Sequence, residues 1–466
     1  KLSEKELMND LMMAAMCGVP PDASVNSGSK VLIGDSDAFK PAASTLKTWD
    51  GLPSFRITVP LMLPGVVAGA SAPGATSFSV NGLMNSGTAA WTIGTNALTI
   101  GSDKELVVNT ANAAIAISSA IADNAGGASS LTKAGSGTLT LSGTNLYSGP
   151  TAVVGGVLDV GLISNGSLGS GGLSLIGGTV LQGNGTFSRT VSSNTTPGAG
   201  QISSLEGGFA AKGGVLTVDF GADLALSSSF RFGSNFVFGS STADSKVVVV
   251  NPINLNGSSR TITVNPGLGG DYAEFSANVG PAAGAFGITK SGTGRLVLSS
   301  LNNTYTGSTT LNAGALDVGL ISNNSLGAGG LLFAGGVLQG NGTFTRNFNN
   351  GGLLAAAAGE IAGATGGFAA NGGPLTVNFG GASLGVQLSG PSNRLGSGFT
   401  LGSATANDKV TVVNPMDLNG AVRLFTVTSG TGGDSAELSG VLSGATTAGV
   451  NKQGGGLLLV DRKSVV

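Results

Sequence analysis

The sequence repeats itself at a step of about 160 residues, and this repetition limits what the chain can fold into. The segment 133–141, KAGSGTLTL, returns at 290–298 as KSGTGRLVL and a third time at 452–460 as KQGGGLLLV. Self-similarity on this scale is typical of chains that stack like units along one axis, and not of chains folded around one active-site cleft. We therefore expect an array in which each unit packs against its neighbours.

Composition excludes several classes of protein. Charged residues make up 10% of the 466 residues, and the net charge is −2, so the chain has no basic stripe that would follow a nucleic-acid backbone. Histidine is absent, which removes His-based catalytic triads and His metal ligands. The single cysteine, Cys17, cannot form a disulfide within the chain.

Short alternations of apolar and small polar residues follow residue 56, separated by Gly, Asn and Ser. Residues 137–141 (GTLTL) and 214–218 (GVLTV) show the period of two that is typical of strands with one buried face. Because no helical crossovers separate the strands, we predict an all-β fold, a right-handed parallel β-helix (solenoid). A capping-box pattern at Ser3 and Glu6 predicts a short helical or irregular segment before it, over residues 3–16.

A longer signature surrounds the first two repeated lysines. Residues 131–160 read LTKAGSGTLTLSGTNLYSGPTAVVGGVLDV, and residues 288–318 read ITKSGTGRLVLSSLNNTYTGSTTLNAGALDV. The order Thr-Lys, Gly-x-Gly, Leu-x-Leu-Ser, Asn-x-Tyr and Leu-Asp-Val resembles the autotransporter-associated β-strand repeat, also called the passenger-associated transport repeat. The resemblance implies an exported bacterial surface protein with a β-helical passenger. It also implies that the repeat aids passenger folding and passage across the outer membrane, with a translocator or surface anchor at the C-terminus.

The repeats divide the chain into five segments. The uncharged stretch 57–69 fits either a signal peptide or a buried strand at the start of the solenoid, and its two prolines favour the strand. We predict an N-terminal non-repeat segment that is a candidate leader (1–56), the first coils or the end of a preceding repeat (57–130), β-helical unit A (131–287), β-helical unit B (288–449) and a truncated start of unit C with an off-pattern tail (450–466).

One recurring pair of acids has the residue types of a cation site. Asp271 and Glu274 return as Asp434 and Glu437, each time after two glycines, and carboxylates with backbone carbonyls suit Ca²⁺. Residues three apart on a strand face opposite sides, however, so the pair does not converge. The sequence therefore favours a solvated turn over a calcium site.

Other acids offer little for catalysis. Asp219 stands where a polysaccharide-cleaving β-helix would carry an acid, but its counterpart in unit B is Asn378, which cannot transfer a proton. Asp159 and Asp317 recur, but no second carboxylate or basic partner lies close to either in sequence. We therefore predict no catalytic, cofactor-binding or metal-binding residues.

Two further sets of repeated residues have structural interpretations. Lys133, Lys290 and Lys452 are interpreted as rim lysines that prevent edge pairing between solenoids. Tyr147 and Tyr305, together with several repeated phenylalanines, are interpreted as residues that stack in the interior between coils.

The leading functional hypothesis is a structural, non-catalytic passenger-type segment of an exported bacterial surface protein, whose repeats aid folding and secretion and act as a stalk. The first alternative is an adhesin that binds host or matrix glycans, and the second is a β-helix polysaccharide lyase or hydrolase. We expect an extracellular location at the bacterial outer-membrane surface, no cofactor and no transmembrane span in this chain. The expected partners are a translocator or surface anchor encoded downstream and an extracellular glycan or host surface.

Overall fold

The chain folds as a parallel β-solenoid. The computed structural model describes residues 56–57, 61–62 and 77–461, except 95–96, 112, 164–166, 195, 227–234, 281–283, 323–324, 350–355, 382, 390–393 and 397. Within these ranges every regular element is a strand, and the strand pairs are parallel. The prediction of an all-β parallel β-helix is confirmed. The helix predicted over 3–16 and the candidate leader 1–56 lie outside the described residues, apart from Arg56.

Successive coils contribute strands to three faces, and the strands within each face pair in parallel. The first face begins with Leu61–Met62, Gly82–Asn85, Glu105–Thr110, Ser130–Ala134, Thr151–Val153, Leu173–Ile176 and Gln201–Leu205, with Thr190–Val191 beside the last of these. The strands at this place in later coils are Asn235–Phe238, Arg260–Val264, Ile288–Ser291, Thr309–Leu311, the starts of Leu331–Phe344 and of Glu360–Val377 with Asn347–Phe348 beside it, Gly398–Leu401, Val422–Val427 and Gly449–Gln453. The pairing is offset at two junctions, because Asn235–Phe238 pairs with residues 208–209 and Gly398–Leu401 pairs with residues 367–368, which lie in the two long strands that run into the second face.

The other two faces follow the same order along the chain. The second face contains Trp91–Ile93, Ile115–Ile117, Thr138–Leu141, Val157–Ile163, Val180–Ser188, Gly208–Asp219, Lys246–Val249, Tyr272–Phe275, Arg295–Leu298, Ala315–Ile321, the ends of the two long strands 331–344 and 360–377, Lys409–Val412, Ser435–Leu438 and Leu458–Val460. The third face contains Arg56–Ile57, Ser77–Val80, Ala97–Ile100, Ile121–Ala122, Leu224–Ala225, Ile253–Asn254, Val279–Gly280, Val386–Leu388, Arg394–Leu395, Met416–Asp417 and Leu442–Ser443.

Alternating burial explains why these short segments form strands. In Thr138–Leu141 the two leucines are buried and the two threonines are partly exposed, and Lys246–Val249 has the same pattern. Each strand pairs in register with the equivalent strand of the next coil, so apolar residues stack on apolar residues. The distance along the chain between partners differs from coil to coil, for example 19 residues for Leu139 with Leu158 and 35 residues for Leu375 with Val410.

One continuous apolar core runs along the inside of the solenoid. Phe187, Phe209 and Phe220 form a stack in unit A, with ring centroids 5.0 Å apart for Phe187–Phe209 and 6.2 Å for Phe209–Phe220. The matching stack in unit B consists of Phe344, Phe368 and Phe379. All six rings are buried, so the repeated phenylalanines do stack in the interior between coils.

Candidate functional site

The two repeated lysines inside the solenoid bind backbone carbonyls of adjacent coils. The Nζ of Lys133 donates to two carbonyl oxygens of its own coil at 2.9 Å and to one of the next coil at 2.8 Å (Ala134, Gly135 and Gly155). The Nζ of Lys290 does the same at 2.8, 2.7 and 3.1 Å (Ser291, Gly292 and Ala313). We call each arrangement a lysine cradle.

The interpretation of these lysines as rim residues is wrong. Lys133 and Lys290 are 0% exposed, and only Lys452, in the last described coils, is exposed. Three carbonyl acceptors match the three N–H bonds of an ammonium group, which explains why a lysine occupies this buried position. Each cradle ties the turn after one strand to the turn of the following coil.

The cradles predict a pH dependence of stability. Burial lowers the pKa of Lys133 to about 8 and that of Lys290 to about 7. An unfolded lysine titrates near 10.4, so between about pH 7 and pH 10 the unfolded chain binds more protons and the free energy of unfolding rises with pH. We expect the free energy of unfolding of the wild type, minus that of the double variant Lys133→Met/Lys290→Met, to increase with pH. The measurement is urea unfolding of both proteins at pH 7, 8.5 and 9.5. A difference that falls with pH would contradict this.

A buried tyrosine–threonine pair follows each cradle. The hydroxyl groups of Tyr147 and Thr151 lie 2.7 Å apart, and those of Tyr305 and Thr309 lie 2.6 Å apart. The threonine hydroxyl in turn donates to a carbonyl of the next coil (Leu168 or Leu326). Gly169, at φ +65°, lies so close to the Tyr147 ring that a Cβ atom would come within 3 Å of it.

Removing one tyrosine hydroxyl tests this contact. We expect Tyr305→Phe to lower the free energy of unfolding by about 1 kcal/mol, because one buried hydrogen bond is lost while the ring still fills its site. Tyr147→Phe is the replicate in unit A. The outward-facing substitution Thr310→Val is the control and should change stability by less than about 0.5 kcal/mol. Equal losses for Tyr305→Phe and Thr310→Val in urea unfolding would show that the buried pair contributes nothing.

Asparagine and arginine side chains add further ties between coils. Asn145 accepts from the amide of Ile121 and donates to the carbonyl of Ser167, so it connects the coils on either side of its own. Asn303 makes the same two contacts in unit B (Val279 and Ser325). Arg189 and Arg346 each donate to two glycine carbonyls of the preceding coil (Gly171 and Gly169; Gly329 and Gly327).

A second polar network lies on the outer side of the second face. In unit A, Gln182 Nε2 donates to Asp159 Oδ2 at 3.0 Å, and Lys212 Nζ contacts the same carboxylate oxygen at 2.8 Å. The Gln182 amide oxygen accepts hydrogen bonds from the hydroxyls of Ser240 and Thr242. Gln182 is 0% exposed and Asp159 3% exposed. We call this the Asp–Gln network.

Unit B repeats the Asp–Gln network with a different cation. Gln339 Nε2 donates to Asp317 Oδ2 at 2.9 Å, and its amide oxygen accepts from two hydroxyls (Ser403 and Thr405). Asn371 stands where unit A has Lys212, and it donates to Asp317 at 2.8 Å. Arg295, which replaces Thr138 of unit A, lies 3.3 Å from the same carboxylate. Each buried aspartate therefore has one cation, supplied from a different coil in each unit.

Asp219, the acid considered for polysaccharide cleavage, holds a turn. Its Oδ1 accepts from the amide of Gly221 at 2.8 Å and from Asn251 at 3.0 Å, and these hydrogen bonds lower its pKa. A general acid that works near neutral pH needs a raised pKa. In unit B Asn378 accepts from the amide of Gly381, so an uncharged amide fills the same position.

The residues considered for calcium have other partners. Asp271 accepts from the amides of Gly267 and Gly269, which closes its own loop. Glu274 pairs with Lys246 at 3.0 Å. Asp434 and Glu437 make the matching contacts in unit B (Gly430 and Lys409). In the part of the chain that the structure describes, no three His, Cys, Asp or Glu side chains are grouped as metal ligands would be.

Sequence reasoning missed the partners that complete these networks. Asp159 and Asp317 were interpreted as acids without a nearby partner, but folding brings Gln182 and Gln339 to them from the next coil. The signal was present, because Gln182/Gln339 and Arg189/Arg346 are polar residues kept at matched positions in both units. These arrangements hold neighbouring coils together through hydrogen bonds and ion pairs.

The family model of the passenger-associated transport repeat matches residues 131–160 and 288–318. The resemblance stated from the sequence is therefore confirmed. Each matched segment contains one lysine cradle residue, one tyrosine–threonine pair and the aspartate of one Asp–Gln network. The glutamines that bind these aspartates, Gln182 and Gln339, lie after the matched segments.

One curated relative is the "Adhesin BmaC autotransporter" of Brucella suis biovar 1 (strain 1330), 31% identical over 258 residues. The match covers 44% of this chain and 8% of that relative. No solved structure matches significantly. The described ranges contain no helix that is long and apolar enough to span a bilayer. The repeats, this relative and the fold place the chain in a passenger-type protein of the extracellular cell surface.

Proposed function

We propose that this chain is a structural, non-catalytic stalk segment of an autotransporter-type passenger, in which each repeat is a local starting point for folding. The observation that carries the proposal is the use made of the repeated polar residues. In both repeats the lysine, asparagine, threonine and aspartate side chains bind neighbouring coils, and the tyrosine hydroxyl binds that threonine. A solenoid is stabilised by its own units and by the contacts between neighbours.

The proposed partner is a translocator or surface anchor encoded with the passenger. A chain that crosses a membrane unfolded must then fold from a few local contacts, because closing long loops is entropically costly. The repeat supports such a start, since its cradle and tyrosine–threonine pair connect residues about 20 apart in adjacent coils. The folded solenoid would then grow from each repeat, one coil at a time.

Deleting unit B tests the stalk role. Removing residues 288–449 joins Gly287 to Val450, which stands where Ile288 stood, so the first coil of the next repeat follows directly. We expect a shorter solenoid that still unfolds cooperatively and is still displayed on the cell surface when expressed within the whole coding sequence. Loss of all folded structure in the purified deletion variant, by circular dichroism, would refute the modular stalk.

The folding role has a separate test. We expect Lys133→Met/Lys290→Met, expressed in the whole protein, to reduce the amount of protease-resistant passenger at the cell surface. Thr310→Val, at an outward-facing strand position of the second repeat, is the control and should leave this amount unchanged. If the double variant is displayed as well as the wild type although its purified form is destabilised, the repeats stabilise the stalk but do not aid secretion.

A second candidate function is adhesion to host or matrix glycans, and the relative named as an adhesin favours it. The test is binding of the purified chain to an array of host glycans. Saturable binding that survives deletion of residues 288–449 would assign adhesion to the remaining coils. A polysaccharide lyase or hydrolase has weaker support, since Asp219 holds a turn and its pKa is lowered.

A further inference from the structure

Each unit carries a seven-residue strap on the outside of the solenoid. Strap A, residues 239–245, connects Asn235–Phe238 of the first face to Lys246–Val249 of the second. Strap B, residues 402–408, makes the same connection between Gly398–Leu401 and Lys409–Val412. In the coils that begin the two repeats, the equivalent connections are only three residues long (135–137 and 292–294).

The straps cover apolar residues on the outer side of the sheet. Ala243 of strap A is 0% exposed and packs with Val180 and Ala210, which form a cluster separate from the interior core. In strap B, Ala406 packs with a matching pair (Val337 and Ala369). Two backbone amides of strap A also bond to the carbonyl of Ala211 in the preceding coil.

The Asp–Gln network fastens each strap across several coils. Gln182 lies two coils before strap A, and its side chain passes the small Ala210 of the intervening coil to reach the strap hydroxyls. Asp159 lies one coil earlier still. The network therefore joins four successive coils, and its Gln–strap contacts connect residues 58 and 60 apart in sequence. The contacts recur in unit B over 64 and 66 residues.

We propose that each strap is a latch that closes only after its four coils have stacked, with Gln182 and Gln339 as the positioning residues. Before stacking, the glutamine and the strap hydroxyls are far apart, so the latch cannot form from local contacts. After closing, it shields the outer apolar cluster and the buried aspartate. The latch is thus a conformational device that locks a four-coil block, beyond the stacking role proposed above.

Hydrogen exchange on the full chain tests the latch. In Gln182→Leu we expect the amides of strap A to exchange at least about tenfold faster, while strap B and the strand Gly208–Asp219 keep their protection. Gln339→Leu should give the reciprocal result. In pulsed exchange during refolding of the wild type, strap amides should become protected after those of Val180–Ser188.

Two results would overturn the proposal. One is faster exchange of both straps, or of strap and sheet together, in either glutamine variant, because the strap would then not open separately. The other is strap protection that appears before that of Val180–Ser188. If Gln182→Leu does not fold, Ser240→Ala/Thr242→Val removes only the strap hydroxyls, keeps the Asp159–Gln182 contact and must give the same local change.

Discussion

Replacing Lys290 by methionine is expected to lower the free energy of unfolding by about 2–4 kcal/mol. The substitution removes three hydrogen bonds to buried carbonyls of two adjacent coils, and methionine offers no donor in their place. Part of the loss is offset because an ammonium group no longer has to be buried. Lys133→Met should behave alike, since its cradle has the same geometry.

The chain supplies its own control for this experiment. Lys452 holds the same position in the third repeat but is exposed, so Lys452→Met should change stability by less than about 0.5 kcal/mol. The measurement is urea unfolding of the three single variants at pH 7. A loss for Lys452→Met as large as that for Lys290→Met would mean that the cradle carbonyls are not the cause.

The second large effect concerns the cation of each Asp–Gln network. We expect Lys212→Asn to cost about 1–3 kcal/mol, because the carboxylate of Asp159 stays buried without its cation. The estimate lies below that for a fully buried pair because Lys212 is 42% exposed. The value would come from urea unfolding at low ionic strength.

Unit B provides the design of the rescue. There the cation is Arg295, at the position of Thr138, so adding Thr138→Arg to Lys212→Asn should restore most of the lost stability. Thr138→Arg alone adds a second cation and should gain little. A double variant no more stable than Lys212→Asn would show that the two cations are not interchangeable.

The sequence predicts the fold of this chain better than it predicts the contacts between its side chains. Period-2 alternation in segments such as 137–141 predicts strands with one buried face, and the step between repeats predicts stacking, so the parallel solenoid follows from local patterns. Strand register follows as well, because apolar residues must stack on apolar residues.

The burial of polar residues did not follow from these patterns. Lys133 and Lys290 occupy inward positions of strands, where a charge is ordinarily excluded. No local sequence pattern indicates that three backbone carbonyls from two different turns will accept hydrogen bonds from each lysine. The partners of Asp159 arrive from coils up to 53 residues away. Only the comparison of the two units marks such residues, since it shows which polar side chains persist without saying what they contact.

The equivalence of the lysine cradles also bears on how such chains change length. Lys133, Lys290 and Lys452 each lie in the first strand of a repeat. Each of these strands pairs in parallel with a strand of the coil before it. Crossing-over between the gene segments for two such coils would therefore remove or duplicate a whole block and leave every strand with a matching neighbour. Evolution can lengthen or shorten this protein in steps of a unit, without inventing a new junction each time.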